Sequence, residues 1–244
     1  MTDITPDTLI YVEWGFVKLN ATLVFTWVVM IVLALGSWLV TRRLKIGPPI
    51  PPWQNMLETI VSLVRDQIRE VTDQEASPYL PFIGTLFLFI AASNLLVILP
   101  GFQPPTGSLS TTTALALCVF FAIPIFGIGK RGVIPYLKHY LEPTPFMLPF
   151  QIISEISRTV ALAVRLFGNV MSGSLIVAII FSILPLFVPI IMQMLGLVIG
   201  FIQAYIFAIL AMVYIASATR VYEEEEEKEE KGQDEQQQPG KAAG

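Results

Sequence analysis

The residues of this sequence best placed to do chemistry stand in one segment, RTVALAVRLFGNVMSGS, residues 158–174. Arg165 is a guanidinium in an apolar run. The nearest charges on either side are Arg158 and Arg220, so Arg165 is alone across about sixty residues. Drawn as a helix at about 100° per residue, residues 149–183 bring Gln151, Ser154, Arg158, Arg165, Asn169 and Ser172 within about 40° of one line. Ala161, Gly168 and Gly173 border that line, and the rest of the circumference is Val, Leu, Ile and Phe. One face is therefore wet or partner-facing, while the other sides meet lipid or protein.

An arginine at the centre of a membrane helix costs about 2.5–3.5 kcal/mol on insertion scales, and the middle of a long apolar run leaves it little room to snorkel. Glu155 sits at the start of its helix, where a surface carboxylate is the default, and no acid follows it until Glu223. The partner of Arg165 must therefore come from another chain or be a translocated anion. On the next apolar segment Gly196, Gly200, Gln203, Tyr214 and Ser217 share a side, with Gln193 at its edge. Glycines there let a neighbouring helix come close. Asn169 and Gln203 suit an interhelical hydrogen bond as well as they suit a transport path.

The elements that must position these groups belong in a bilayer. Of the 244 residues 54% are hydrophobic and only 14% charged, with a mean hydropathy of +0.68, outside the range of soluble domains. The net charge of −4 is set by residues 223–244, EEEEEKEEKGQDEQQQPGKAAG, with nine acidic and three basic groups, which leaves about +2 for the remainder. That composition predicts two regions, a membrane-embedded domain over 1–222 and a disordered acidic tail over 223–244, with a helical extension at the tail's start. A single cysteine, Cys118, and a single histidine, His139, exclude a disulfide framework and a Cys or His metal cluster. The N-terminus is acidic and lacks the basic n-region of a cleavable signal, so the first apolar run is expected to stay as a span.

Five membrane segments are predicted. Residues 19–40 make one crossing of a hydrocarbon layer of about 30 Å and end in the basic cluster TRRLK. After the proline-rich GPPIPPW, residues 54–74 put Met56, Leu57, Ile60, Leu63, Val64, Ile68 and Val71 on one face of an interfacial amphipathic helix. Residues 81–99 cross back, followed by the uncharged loop PGFQPPTGSLSTTT. Residues 113–129 cross again, loosened at Pro124, and Lys130, Arg131, Lys138 and His139 follow. Residues 149–184 and 189–222 form two long helices turned at Pro185 and Pro189. The basic loops place the N-terminus outside and the C-terminus in the cytoplasm. A helix over 149–183 is about 50 Å long at 1.5 Å per residue, so it must tilt strongly or break to fit the layer. The expected fold is an all-α membrane protein whose last two helices form a long, tilted hairpin.

The segment ISEISRTVALAVRLFGNVMSG resembles the signature of subunit a of the rotary F-type ATP synthases. SNLLVILPGFQPPTGSLSTTTALAL is similar to that family's second span and outer loop, and IQAYIFAILAMVYIA to its last helix. The resemblance covers most of residues 80–220. It implies an ion-conducting stator subunit of the membrane sector, lying against a ring of c subunits and beside b-type peripheral stalk subunits, and linked indirectly to the F1 catalytic sector. Arg165 then corresponds to the stator arginine that meets the rotor carboxylates in turn. Asn169 and Gln203 match its polar neighbours, with Glu155, Arg158, Ser172 and Ser174 along the ion path. Gly168, Gly173, Gly196 and Gly200 become packing positions at the rotor interface.

Two aqueous half-channels, for protons or sodium, are implied, in a bacterial plasma membrane. The resemblance implies no cofactor, metal or nucleic acid, and no catalysis by this chain, which has no phosphate-binding glycine loop. Family members commonly carry Glu where Ser174 stands, and His or a carboxylate where Gly196 stands. Two other readings stand beside this one. One is a small secondary transporter with Arg165 binding an anionic substrate, for which the sequence shows no convincing inverted repeat. The other is a membrane scaffold, in which an unpaired central arginine has no purpose.

Overall fold

Hydrocarbon offers no partner to a backbone N–H or C=O, so a chain of this composition has to satisfy its own backbone in helices. The computed structural model describes residues 10–14, 17–42, 52–72, 75–99, 101–133, 148–183 and 188–237. Six helices dominate it: α1 (Ala21–Thr41), α2 (Pro52–Thr72), α3 (Leu80–Leu95), α4 (Leu109–Arg131), α5 (Leu148–Ile183) and α6 (Val188–Gln237). All but α2 are long and apolar enough to cross a membrane, α3 together with the 3₁₀ turn Leu96–Ile98 that ends it, which bears out an all-α membrane protein with five spans.

The amphipathic α2 packs by part of its expected face. Ile68 is buried and Val64 and Val71 lie against the core, while Met56 and Leu63 stay exposed. Residues 43–51, Lys138, His139 and Pro185, all used in the sequence reading, lie outside the described residues.

Four local features differ from the sequence-based expectation. A short antiparallel pair, β1 (Ile10–Trp14) and β2 (Val17–Asn20), precedes α1 with Val12 opposite Leu19 and Trp14 opposite Val17. The helix α4 begins at Leu109 rather than at 113, because Ser108 and Thr112 are fully buried. The Thr112 hydroxyl donates to the Leu109 carbonyl at 3.1 Å, so SLSTTT enters the bundle as helix. Pro124 lies inside an unbroken α4, as neighbouring helices in a membrane allow. Finally, α6 runs on to Gln237, well into the acidic segment, where Glu, Lys and Gln are all strong helix formers.

The long helix α5 does not break. Its 36 residues span about 54 Å, so the mismatch with a hydrocarbon layer of about 30 Å has to be absorbed by tilt. What holds it is a core of small and branched residues. Ala204, Ala208, Ala211 and Ile215 recur along one face of α6 and pack with Ile83, Leu86, Ile90 and Ala91 of α3 and Ala116, Val119 and Ala122 of α4. Without a strong hydrophobic drive between helices in lipid, such alanine faces bind by close approach. From α5 only Leu162, Ala163 and Leu166 reach full burial, so most of its surface is bare. The connection between α3 and α4 folds inward as a 3₁₀ turn, Pro105–Gly107, all of it buried against α1, α3, α4 and α5.

Leu166 is fully buried at the root of the exposed face of α5. Leu166→Ala is expected to cost about 2–5 kcal/mol of stability, read as a lower thermal midpoint of the purified protein, whereas Ile125→Ala on the exposed side of α4 is expected to shift it far less.

Candidate functional site

The site grows from the spacing of exposed residues on α5. Arg158, Ala161, Arg165, Gly168 and Ser172 are all exposed and follow one another at intervals of three and four, the spacing of a helix seam that another helix can enter. Small side chains on either side of Arg165 leave its guanidinium standing clear of the surface. Among the described residues Arg165 makes no hydrogen bond and no ion pair. Arg158, two turns earlier, has its guanidinium 5.5 Å from the centroid of the Tyr214 ring on α6, within cation–π range. One arginine of the seam is thus held to the protein and the other is presented outward.

Behind the seam the two long helices meet through amides. Asn169 Nδ2 donates to Gln203 Oε1 at 3.2 Å. Gln203 is 5% exposed, and its own Nε2 has no partner among the described residues. A buried amide N–H of this kind calls for an acceptor, either water or an incoming oxygen. Asn169 lies one turn beyond Arg165 on the same side of α5, so the guanidinium and the amide pair form one polar centre.

The remaining predicted residues divide. Ser172 and Ser174 are exposed, and their hydroxyls donate back along the helix, to the Asn169 carbonyl at 3.1 Å and to the Val170 carbonyl at 2.7 Å. With their protons engaged, both hydroxyl oxygens are left as acceptors. Glu155 is half-buried and its carbonyl accepts from the Thr159 hydroxyl at 2.9 Å, but it stands ten residues, about 15 Å along the helix, before Arg165.

The glycines also separate. At Gly168, Gly173 and Gly196 a Cβ would meet no atom within 4 Å, leaving space beside them. Gly200 is different: it is buried inside the chain, where a Cβ would come within 2.8 Å of Asn94 Cβ and Cγ. Gly200 therefore serves packing between α3 and α6, and the expected position at an interface with another chain is corrected for this residue.

Sequence reasoning passed over Asn94. It is 6% exposed in the last turn of α3, and its Nδ2 donates to the Ile90 carbonyl at 3.0 Å and to the Gly200 carbonyl at 3.1 Å. An amide in an apolar span was the available signal, since polar side chains at that depth are there to bond across helices. Gln193, noted only at the edge of its stripe, donates from α6 to the Val97 carbonyl at 3.0 Å. Tyr205 of α6 donates its hydroxyl to Gln67 Oε1 of α2 at 2.9 Å.

Comparison with known proteins bears on the family of the chain as a whole. The family model described as ATP synthase A chain matches residues 23–216. ATP synthase subunit a 2 of Acaryochloris marina (strain MBIC 11017) is 62% identical over 218 residues, covering 89% of this chain and 93% of that protein. ATP synthase subunit a 1 of Crocosphaera subtropica (strain ATCC 51142 / BH68) is 60% identical over 221 residues, covering 91% and 96%. ATP synthase subunit a of Albidiferax ferrireducens (strain ATCC BAA-621 / DSM 15236 / T118) is 57% identical over 217 residues, covering 89% and 94%.

The amide pair is open to a direct measurement. Gln203→Met keeps length and volume but removes the acceptor for Asn169, and interhelical hydrogen bonds in membrane proteins average about 0.6 kcal/mol. The expected loss of stability is correspondingly small, about 1 kcal/mol or less, by thermal denaturation of the purified protein. A much larger loss would show that Gln203 is chiefly a structural pin.

Proposed function

The chain belongs to the ATP synthase A chain family, and on that premise we propose that it is the ion-conducting stator subunit of a rotary ATP synthase, with Arg165 facing the carboxylates of a rotor ring of c subunits. The observation that carries this reading is Arg165 itself. It is a fixed cation on an exposed seam of small residues, in a helix long and apolar enough to span a membrane, with no counter-ion among the described residues. A rotor carboxylate supplies the missing partner. The family match leaves the small-transporter reading without an observation of its own.

The mechanism follows from charge. A carboxylate brought within a few ångströms of a guanidinium is favoured in its ionised form, so its proton or sodium ion is released as it arrives. Arg165 also stands between two access paths and repels any cation trying to pass directly from one to the other. A transported charge then has to travel with the ring. Each elementary charge crossing about 100 mV releases about 2.3 kcal/mol, and several such steps accumulate per ATP made or hydrolysed in the catalytic sector.

Buried polar atoms fit two such paths. Asn20 Oδ1, Gln103 Oε1 and Thr106 Oγ1 lack partners among the described residues at the α1 start and in the α3–α4 connection, and Gln151 Oε1 lacks one near the start of α5. In a topology with the N-terminus outside and the C-terminus cytoplasmic, these groups fall on opposite sides of Arg165. Buried oxygens of this kind suit ordered water. The path beside Arg165 uses Asn169, Gln203 and the hydroxyls of Ser172 and Ser174, with no titratable side chain at 174 or 196. Gly168, Gly173 and Gly196 give the rotor helices room to approach. Peripheral stalk subunits of b type hold the chain against rotation in a bacterial plasma membrane, while 223–244 forms an acidic tail on the cytoplasmic side.

Arg165→Ala is expected to abolish ATP-driven ion pumping in inverted vesicles while the subunit still assembles. Arg165→Lys is expected to recover little, because a lysine keeps the charge but loses the planar fork that engages both carboxylate oxygens. Asn169→Leu and Gln203→Leu are expected to slow pumping less than either. Normal coupled pumping by the Arg165→Ala protein would overturn the assignment, and equal loss in the amide variants would mean that the amides rank with the guanidinium.

A further inference from the structure

The amide clamp between α3 and α6 has no part in the ion chemistry just described, yet it bears on where that chemistry stands. Both hydrogens of Asn94 Nδ2 are used, one on the Ile90 carbonyl of its own helix and one on the Gly200 carbonyl of α6. An amide with both donors engaged is held in one orientation. Gly200 permits the contact only because it has no side chain: a Cβ there would lie 2.8 Å from Asn94 Cβ and Cγ. The Asn94 Cβ is tied to the α3 backbone and cannot swing aside. A reciprocal bond runs the other way, from Gln193 of α6 to the Val97 carbonyl in the 3₁₀ turn that ends α3.

Around this clamp the α3–α6 contact is apolar and built largely of alanine and branched residues. Such a surface can be matched at more than one axial setting. A buried amide bonded to one carbonyl cannot, which is how a single buried Asn selects the register of a coiled coil. Gln203 is three residues beyond Gly200. A slip of one helical turn, the smallest that keeps the alanine face of α6 on α3, moves it about 5.4 Å along the axis, enough to break a hydrogen bond that tolerates only a few tenths of an ångström and to bring residue 199 or 206 toward Asn169 in its place.

We infer that Asn94 is a positioning residue: through the Gly200 carbonyl it sets the register of α6 on α3, and thereby holds Gln203 opposite Asn169 beside Arg165. Its importance for ion transport rests on the function proposed above, whereas the register itself does not.

The test reads register without reading transport. In a Cys118→Ser background, Asn169→Cys is paired with Gln203→Cys, Ile199→Cys or Ile206→Cys in the full complex in its native membrane. Each pair is treated with a short bifunctional methanethiosulfonate. With Asn94 and Gly200 intact the 169–203 pair is expected to dominate. In Asn94→Leu and in Gly200→Ala its yield is expected to fall at least about threefold, while the 169–199 or 169–206 yield rises.

Continued dominance of 169–203 in both variants overturns the inference. So does an equal loss of all three pairs, which assigns Asn94 to packing alone. Should either variant fail to accumulate, Asn94→Ser, too short to span to Gly200, is read by the same criteria. A register shift in a protein whose Arg165→Ala form pumps normally would sink the transport reading and leave the clamp standing.

Discussion

A guanidinium with no internal counter-ion, on the bare side of a helix that must cross hydrocarbon, is the constraint to which the rest of the molecule answers. Buried, Arg165 would need a partner that the described residues do not offer it. Facing lipid, it would carry the full penalty of an isolated charge. The fold leaves Arg165 on an uncovered face of α5 with Ala161, Gly168 and Ser172, and on the function proposed a rotor helix brings the missing charge into contact there. The strip of α5 beside that face is held by a few residues, Leu162, Ala163 and Leu166, packed on α4 and α6.

The helix α6 is the element that ties this arrangement to the rest. Its alanine face and Gly200 lie on α3, Gln203 reaches α5, and Tyr205 reaches α2. Because lipid is as apolar as the side chains, helix association here depends on close packing and on a small number of polar bonds. Those bonds add little energy each, but they exclude alternative registers. Arg158, held over the Tyr214 ring on the same pair of helices, does for one end of the hairpin what Asn169 and Gln203 do for its middle.

Much of the fold was legible because a bilayer reduces the choices. A long apolar run can only be a helix, and five of them are found where hydropathy puts them. The period of α2 and the polar stripe of α5 could be read from spacing alone. Where reading failed, a local signal was overridden by context. SLSTTT reads as a solvated loop, yet Ser108 and Thr112 are buried and the helix starts there. Pro124 suggests a weakened helix, yet α4 runs through it. The strand pair before α1 lies in a stretch with no clear alternation.

Residue types and their order in the chain were enough to determine the membrane environment, the two long helices, and the isolation of Arg165 on a polar line with Asn169 and Ser172. These follow from composition and a period, both properties of one helix at a time. Whether Asn169 would meet Gln203, whether Gly200 would be buried or face another chain, and that Asn94 would reach across to it, were decided only in the tertiary structure. Each depends on the rotation and axial setting of one helix against another, and a helical wheel contains neither.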